Sequence, residues 1–389
     1  AVAAEEVLVR PARYLEVTTL ALAEMEAVAG AVDTNCEVRI DVSSRTVEVT
    51  GGKVKESNEG GPKLCAVREG SEDLAAIVMM VNTVSYLTQR GNWEAFLNKA
   101  TYAARTGRSF YLWLGDLDRA TLDARHDVPW LPCGESPGNT LNIYKTVALF
   151  AALKKRRDVV YVDADAWFST PAFDLRATPE MYFNLSHRAF LFGNQNRIGG
   201  PKIPMNGGLL FVRGGERRHQ RAERFLSLWF YSRCGTHDQL PLWASLFAMT
   251  TAESASLGER QQSRRRPHHR RRPRVDVDQK LVEENAEDDA AKDDDAEDLA
   301  VPVFRSYDGA HTRAVDLLAD RVFTLRRPVV DRDPGNTFDG GRFKSTKLLD
   351  RPLELPGILV LPSASLGALP AVRSDLDPKQ KTFVCHTRF

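Results

Sequence analysis

The sequence has little of what marks a disulfide scaffold, a zinc module or a membrane protein. Its five cysteines are scattered without a Cys-x-x-Cys pair, which argues against a zinc knuckle, and their odd number leaves at least one free thiol in a monomer. The longest apolar run, Leu74 to Val81, has eight residues, whereas a membrane-spanning helix needs roughly 20. A net charge of +1 provides no bulk attraction to nucleic acid or to a membrane.

Two charged blocks lie hidden beneath that small net charge. Residues 259–274 contain eight arginines and two histidines, and residues 283–298 contain ten acids against one lysine. Blocks of like charge are usually disordered, so the sequence predicts a disordered charged insertion at 259–298. An arginine tract is also typical of nucleic-acid binding, but the acidic block can neutralise it and no aromatic residue interrupts it for base stacking. We therefore expect no nucleic-acid partner.

The most informative stretch is a short apolar run that ends in two acids. Residues 159–162 are Val-Val-Tyr-Val, typical of a strand buried on both faces, and Asp163 and Asp165 follow. Alternation along the strand puts both carboxylates on the same side. Paired carboxylates at the end of a buried strand need a cation, a proton or hydrogen bonds to offset their repulsion. A divalent metal that carries a phosphate meets that need; two solvated acids in a polar turn are the alternative.

The residues around the acidic stretch predict strands and helices in alternation. Strands are predicted at 74–82 and 110–114, and helices at 93–104, closed by Gly107, and at 142–153. This order is typical of a parallel sheet covered by helices. Ligands bind beyond the carboxyl ends of such strands, which makes Asn82 a candidate contact. The remaining predictions are strands at 181–183, 189–192, 209–213, 321–325 and 357–362, helices at 221–231 and 238–246, and a helix with a strand pair in residues 1–70.

Four landmarks, in order, resemble the GT-A-fold glycosyltransferases that use nucleotide-sugar donors. The chain is most similar to the Golgi family of α-galactosyl-, α-mannosyl- and xyloglucan xylosyltransferases, over about residues 74–250. The landmarks are Asn98-Lys99 with Tyr102-Ala103 and Gly107, the Asp-x-Asp strand at 160–166, the Asn-Gly-Gly strand at 206–213 that ends in arginine, and His237-Asp238-Gln239. Singly each is weak, and together they are fairly specific.

The resemblance implies an α/β fold of the GT-A, Rossmann-like type, with a mostly parallel sheet flanked by helices. Under this hypothesis residues 71–258 and 299–389 form the catalytic domain. Residues 1–70 would be an N-terminal stem or decorating segment, and 259–298 would interrupt the domain as the charged insertion. The implied location is the Golgi lumen, with any membrane attachment made through an anchor outside this chain.

The resemblance also implies roles for individual residues. Asp165 would bind Mn²⁺ or Mg²⁺, and Asp163 would contact the donor ribose or the metal. His386 would be a third metal ligand, although a histidine so near a terminus also fits an ordinary surface position. Asp238 and Gln239 would lie by the anomeric carbon, where Asp238 equally fits a helix N-cap. The implied donor contacts are Asp163, Asn82, Lys145, Asn206, Gly207 and Gly208, with a solvated helix face as the alternative for Lys145.

The implied activity is the metal-dependent transfer of a hexosyl or pentosyl group from a UDP- or GDP-sugar to a glycan or glycoprotein, with retention of configuration. A catalytically inactive binding protein on the same fold is an alternative, because activity depends on geometry. A haloacid-dehalogenase-like phosphatase is a weaker one. That chemistry needs threonine or valine two residues after the second acid, where Trp167 stands, and it needs the acids on the first strand.

Overall fold

The computed structural model contains no helix, among the residues it describes, that is long and apolar enough to cross a membrane. It describes residues 6–8, 11–51, 61–89, 91–117, 119–122, 128, 141–175, 177–194, 196–197, 202–203, 205–233, 238, 241–242, 244–246, 248–249, 252, 300–302, 353–355, 357–361, 367–368 and 384–386. The predicted insertion at 259–298 and the predicted strand at 321–325 lie outside these residues, as does Gln239.

The described helices and strands are as follows. The helices are α1 (Pro11–Gly30), α2 (Val84–Leu87), α3 (Asn92–Thr106), α4 (Arg119–Leu122), α5 (Tyr144–Lys155), α6 (Thr170–Phe173), α7 (Pro179–Phe183) and α8 (Glu216–Tyr231), with a 3₁₀ turn at Leu141–Ile143. The strands are β1 (Glu6–Leu8), β2 (Cys36–Asp41), β3 (Thr46–Gly51), β4 (Lys63–Arg68), β5 (Ala76–Met80), β6 (Phe110–Leu114), β7 (Asp158–Val162), β8 (Ala166–Phe168), β9 (Leu191–Asn194), β10 (Asn196–Arg197), β11 (Lys202–Ile203), β12 (Leu209–Arg213), β13 (Ala300–Pro302), β14 (Leu353–Leu355), β15 (Ile358–Leu361), β16 (Gly367–Ala368) and β17 (Val384–His386).

One mixed sheet organises the described part of the chain, with ten strands in the order β14-β15-β9-β12-β7-β5-β6-β4-β2-β3. The predicted strands β5, β6 and β7 are confirmed, and they form a parallel centre. The predicted strand β12 is also confirmed, but it runs antiparallel to β7, with Leu209 opposite Val162 and Arg213 opposite Asp158. This register brings the start of β12 to the carboxyl end of β7.

Helices cover both faces of this sheet, so the hydrophobic core has two parts, one on each face. On one face α1, α5 and α8 pack on residues such as Val78, Tyr161 and Val212. On the other face α3 packs on the alternate residues of the same strands, such as Val160 and Phe211. The strands therefore bury both faces, as the continuous apolar runs predict. Helix α3 ends, as expected, at Gly107, whose φ of 70° is the left-handed conformation of a helix C-cap.

The predicted strand at 181–183 is wrong, because residues Pro179–Phe183 form helix α7. Three apolar residues fit either a strand or one turn of a helix. The deciding signals precede them: Thr178 has the extended conformation of an N-cap, and Pro179 occupies the first turn. The helix buries Tyr182 and Phe183 against Phe211 of β12.

The N-terminal segment continues the main sheet. Strand β4 pairs with β6, β2 pairs with β4, and β3 pairs with β2 at the edge of the sheet. Helix α1 packs in the same core as α5 and α8. A disulfide between Cys36 and Cys65 joins β2 to β4. A domain boundary at residue 70 stays a prediction of the sequence.

Candidate active site

The two acids of the Asp-x-Asp stretch lie in a tight turn at the end of β7. The Ala166 amide donates to the Asp163 carbonyl at 3.1 Å, which closes the turn, and the Asp163 amide donates to the Gly208 carbonyl at 2.9 Å. The expectation that strand alternation aligns Asp163 and Asp165 is therefore wrong, since β7 ends at Val162. The turn nevertheless directs both residues into one cavity.

That cavity, of about 570 Å³, brings together predicted site residues from four separate segments of the chain. Asn82 follows β5, Lys145 lies in the first turn of α5, Asp163 and Asp165 follow β7, and Asp238 lies beyond α8. Its remaining described lining residues are Met80, Val81, Tyr86, Asn142, Tyr144, Tyr161 and Ala164. The cavity lies beyond the carboxyl ends of the parallel strands β5 and β7, where ligands bind in open α/β sheets.

Lys145 links two of the acids across the cavity. Its Nζ lies 2.8 Å from Asp238 Oδ2 and 3.4 Å from Asp163 Oδ1, and it donates to the Gly207 carbonyl at 3.3 Å. Burial lowers the pKa of the Lys145 ammonium, but Asp163 and Asp238 outweigh that effect and raise it above its ordinary value. Lys145 therefore stays charged at working pH, and the alternative of a solvated helix face does not apply to a side chain that is 3% exposed.

Asp238 combines a backbone role with a side-chain role. Its carbonyl accepts hydrogen bonds from the Leu242 amide at 3.1 Å and from Trp229 Nε1 at 2.8 Å. The first bond has the spacing of a helix start, as predicted for this segment. The carboxylate, at 5% exposure, forms the ion pair with Lys145.

The Asn-Gly-Gly segment supports the acidic turn through its backbone. Asn206 Oδ1 accepts from the Gly208 amide at 2.8 Å, so this oxygen holds the segment's own turn. The Gly207 and Gly208 carbonyls accept from Lys145 and from the Asp163 amide. Gly207 and Gly208 thus lie beside the acidic turn, but none of the three predicted donor contacts, Asn206, Gly207 and Gly208, is among the described residues that line the cavity.

Two residues of α3 form hydrogen bonds with the backbone of the acidic turn and of strand β8, which follows it. The sequence did not predict this role for either residue. Asn98 exchanges two hydrogen bonds with the Phe168 backbone, at 2.7 and 3.1 Å. Lys99 is fully buried, and its Nζ donates to the carbonyls of Ala95, Ala164 and Ala166. A signal for Lys99 was available, because it falls on the apolar stripe of α3.

The two lysines and the tyrosine near the acids have pKa values that are shifted in different directions. Burial lowers the pKa of Lys99 to about 7, with Asp165 and then Asp163 acting in the opposite direction. Burial, followed by the nearby charge of Asp163, raises the pKa of the Tyr161 phenol well above its ordinary value, so this residue stays protonated. Among the described residues that line the cavity, Asp163, Asp165 and Asp238 are acidic and Lys145 is basic, a surplus of acidic groups that suits a divalent cation.

The two carboxylates of the acidic turn, Asp163 and Asp165, suit a divalent metal ion. Among the described residues, no group of three or more His, Cys, Asp and Glu side chains could hold a metal ion by itself. Mg²⁺ and Mn²⁺ bound with nucleotides usually take one or two carboxylates and complete their shell with phosphate and water oxygens. Asp163 and Asp165 fit that requirement. The predicted third ligand, His386, pairs by its backbone with Ala166, next in sequence to Asp165.

The fold and cavity define a three-layer α/β protein with an acidic site at the carboxyl edge of its sheet. No protein-family model and no curated protein matches the chain. Solved structures similar to it include a glycosyltransferase involved in the glycosylation of the major capsid of PBCV-1, at 11% identity and a TM-score of 0.29 over 40% of this chain and 66% of that one. Mouse xyloside xylosyltransferase 1, in its apo form, is similar at 12% identity and a TM-score of 0.26 over 44% of this chain and 81% of that one.

Proposed function

We propose that the protein is a metal-dependent glycosyltransferase that moves a sugar from a UDP- or GDP-sugar to a glycan or glycoprotein acceptor, with retention of configuration. One observation carries the proposal: Asn82, Lys145, Asp163, Asp165 and Asp238, selected from the sequence, line a single cavity. Its volume of about 570 Å³ lies within the range of roughly 300–1,000 Å³ that is common for small-molecule sites.

The residues divide into three roles. Asp163 and Asp165 would hold Mn²⁺ or Mg²⁺, with His386 as a third ligand. When bound, the cation would supply neutralisation of the charge that develops on the leaving diphosphate. Lys145 holds the Asp163 and Asp238 carboxylates in place through its ion pairs with both. Lys99 fixes the turn that carries the acids, and Asn98 fixes strand β8, which follows it.

The transfer itself needs no nucleophile from the protein. The bond between the anomeric carbon and the diphosphate oxygen breaks, and the acceptor hydroxyl oxygen forms the new bond on the same face. The acceptor proton passes to the leaving diphosphate oxygen. Asp238 and Gln239 would orient the sugar next to that face. The protein contributes positioning and electrostatic stabilisation, which can together supply most of a rate enhancement.

The experiment that tests this function screens donor hydrolysis and binding across UDP- and GDP-sugars, with and without Mn²⁺. We expect Asp165→Asn to abolish metal-dependent donor binding, because the amide is neutral and a poorer ligand for a hard cation. Asp73→Asn is the matched control, since Asp73 is exposed just before β5 begins, at the opposite end of that strand from Asn82. Circular dichroism checks that both variants remain folded.

The outcomes separate the alternatives. Failure of the folded protein to bind or turn over any donor would count against the whole proposal. Unchanged Mn²⁺-dependent binding in Asp165→Asn would remove Asp165 as a ligand. Metal-dependent donor binding without hydrolysis or transfer to any acceptor would favour the inactive binding protein instead.

A further inference from the structure

A surface segment that the proposed function does not use follows helix α7 directly. Residues 184–186 are Asn-Leu-Ser, the single Asn-x-Ser/Thr triplet in the sequence. Triplets of this kind, with any residue except proline in the middle, are the acceptors of N-linked glycans in secreted proteins. Because short triplets also arise by chance, we ask whether the surroundings of Asn184 suit a glycan.

Asn184 is exposed, as the residue that carries a glycan must be. It is the C-cap of α7, and its backbone amide donates to the Glu180 carbonyl at 3.0 Å. No hydrogen bond within the described part of the chain engages its side-chain amide. A sugar could therefore be attached to this side chain without the loss of any contact that the folded protein makes.

Ser186, the third residue of the triplet, is buried in the folded protein. Its side chain is 6% exposed, and its hydroxyl oxygen accepts hydrogen bonds from the Arg188 and Ala189 amides, both at 3.2 Å. A modifying enzyme cannot read a hydroxyl in that position. The sugar would thus be transferred before this segment folds, as N-glycosylation during synthesis is, and the folded protein needs space for the glycan alone.

Two large apolar side chains flank Asn184 in the sequence and are exposed. Met181 is 47% exposed and Leu185 is 55% exposed. Met181 precedes Asn184 by three residues, a spacing that puts side chains on the same face of a helix, and Leu185 follows Asn184 directly. We call Met181 and Leu185 the apolar pair. A bulky, hydrophilic glycan on Asn184 would cover the apolar pair and offset its exposure to water.

The disulfide between Cys36 and Cys65 favours the environment in which such a modification takes place. It joins β2 to β4, and both cysteines are buried. Disulfides form and persist in oxidising compartments such as the secretory pathway and are rare in the cytosol. Secreted proteins are also the ones that receive N-linked glycans. The disulfide and the triplet are separate features of the chain, and both favour the same environment.

The triplet lies at the opposite edge of the sheet from the candidate active site. Arg213 donates to the Ser186 carbonyl at 3.3 Å and pairs in the sheet with Asp158, which begins β7. The acidic cavity begins at Asp163, beyond the other end of β7. At roughly 3.3 Å per residue, the extended strand separates Asp158 from Asp163 by roughly 16 Å. A glycan on Asn184 therefore projects from a different edge than the one that holds the acidic cavity.

We propose that Asn184 carries an N-linked glycan that covers the apolar pair. The co-substrate is an oligosaccharide linked to a polyprenyl diphosphate. A bond forms between the Asn184 side-chain nitrogen and the anomeric carbon of the oligosaccharide, and the bond from that carbon to the diphosphate oxygen breaks. The diphosphate leaves with the electron pair, and the amide loses one proton to a base. This modification does not depend on the transferase activity proposed above.

Expression of the full chain in a eukaryotic cell line, behind an added signal peptide, tests the proposal. Treatment with peptide-N-glycosidase should produce one step of faster gel migration, and mass spectrometry should locate the modified asparagine at residue 184. Asn184→Gln and Ser186→Ala should both lose the step. Asn35→Gln is the matched control and should keep it, because Asn35 is exposed but belongs to no triplet. Whole-cell protein is analysed, so that a variant that misfolds and is retained is still scored.

Two further measurements test the native compartment and the covering role. The protein isolated from the cells that make it naturally should show the same glycosidase step. Removal of the glycan from the folded protein should increase the fluorescence of bound anilinonaphthalenesulfonate, a probe of exposed apolar surface. Leu185→Ser keeps a valid triplet, so it should be glycosylated like the wild type and show a smaller increase.

The outcomes that overturn the proposal are specific. Absence of the glycosidase step in wild-type protein from either source would overturn it, as would a step that persists in Asn184→Gln or disappears in Asn35→Gln. Dye fluorescence that is unchanged by removal of the glycan, or that rises equally in Leu185→Ser, would refute the covering of the apolar pair.

Discussion

Lys99 illustrates how a single buried charge can organise a site without lining it. Its ammonium satisfies the carbonyls of Ala95, Ala164 and Ala166, and so it fixes the turn between Asp163 and Asp165 from the protein interior. Burial lowers its pKa to about 7, whereas an unfolded lysine titrates near 10.4. Between these values the unfolded chain binds more protons than the folded protein at this residue, so stability from this residue falls as pH falls towards 7.

We expect Lys99→Met to remove that pH dependence. The free energy of unfolding of the wild type, relative to the variant, should rise between pH 7 and pH 10 by up to about 1.4 kcal/mol per pH unit. Urea unfolding at several pH values, with EDTA present, measures the difference, in which titrations common to both proteins cancel. A difference that is flat over this range would contradict the buried, pKa-lowered state of Lys99.

At the same scale, the sequence alone predicted some site residues and missed others for physical reasons. Asp163, Asp165 and Asn82 follow buried strands, and a strand end is visible in the residue pattern. Lys145 and Asp238 were predicted only through the family resemblance, because their contact joins residues far apart in the chain. Lys99 was missed as a site residue although a lysine on the apolar stripe of α3 pointed to it.

At the scale of elements, long apolar segments were predictable and short ones were not. Strands β5, β6 and β7 and helices α3 and α5 lie where the patterns predict them. The segment at 179–183 became a helix because Pro179 and the extended Thr178 start one. The turn at 163–166 depends on a carbonyl of Gly208 in another strand, which no local pattern contains.

The loop between β4 and β5 provides a second prediction. A methyl group on Gly70 would meet the backbone of Gly107 and Arg108 and lie 2.6 Å from the Ser109 amide nitrogen. Backbone cannot move aside as a flexible side chain can, so Gly70→Ala should lower the free energy of unfolding by about 1–3 kcal/mol. Gly30→Ala is the matched control, since nothing lies within 4 Å of the added methyl.

Gly30→Ala should leave stability unchanged or raise it by up to about 1 kcal/mol, because it ends a helix. Urea unfolding monitored by circular dichroism compares the two variants with the wild type. Equal effects of the two substitutions would show that the close approach of Gly70 to the 107–109 backbone is not maintained in solution.

At the scale of the whole molecule, the layer architecture was predictable and the strand order was not. Alternating strands and helices predict a covered sheet, and α1, α5 and α8 on one face with α3 on the other fulfil that prediction. The antiparallel insertion of β12 between β7 and β9 depends on pairings between distant segments. The Cys36–Cys65 bond could not be chosen in advance among five scattered cysteines.

That disulfide ties the hairpin of β2 and β3 to the sheet through β4, across a sequence separation of 29 residues. Loop-closure entropy for a loop of this length is worth roughly 3–4 kcal/mol. We expect the double variant Cys36→Ala, Cys65→Ala to lose about that much stability in urea unfolding. A reductant should destabilise the wild type and leave the double variant unaffected; a wild type indifferent to reductant would contradict the bond.

The residue-by-residue pairing of β7 with β12 has a consequence for how this protein can change over evolution. Adding or deleting one residue within either strand would turn its buried side chains to the opposite layer. The same change would shift Asp163 away from Gly208 at one end of the strand pair and Asp158 away from Arg213 at the other. Selection should therefore remove insertions and deletions from these ten positions. A substitution, by contrast, could change the residues at one end of the pair without disturbing the other end.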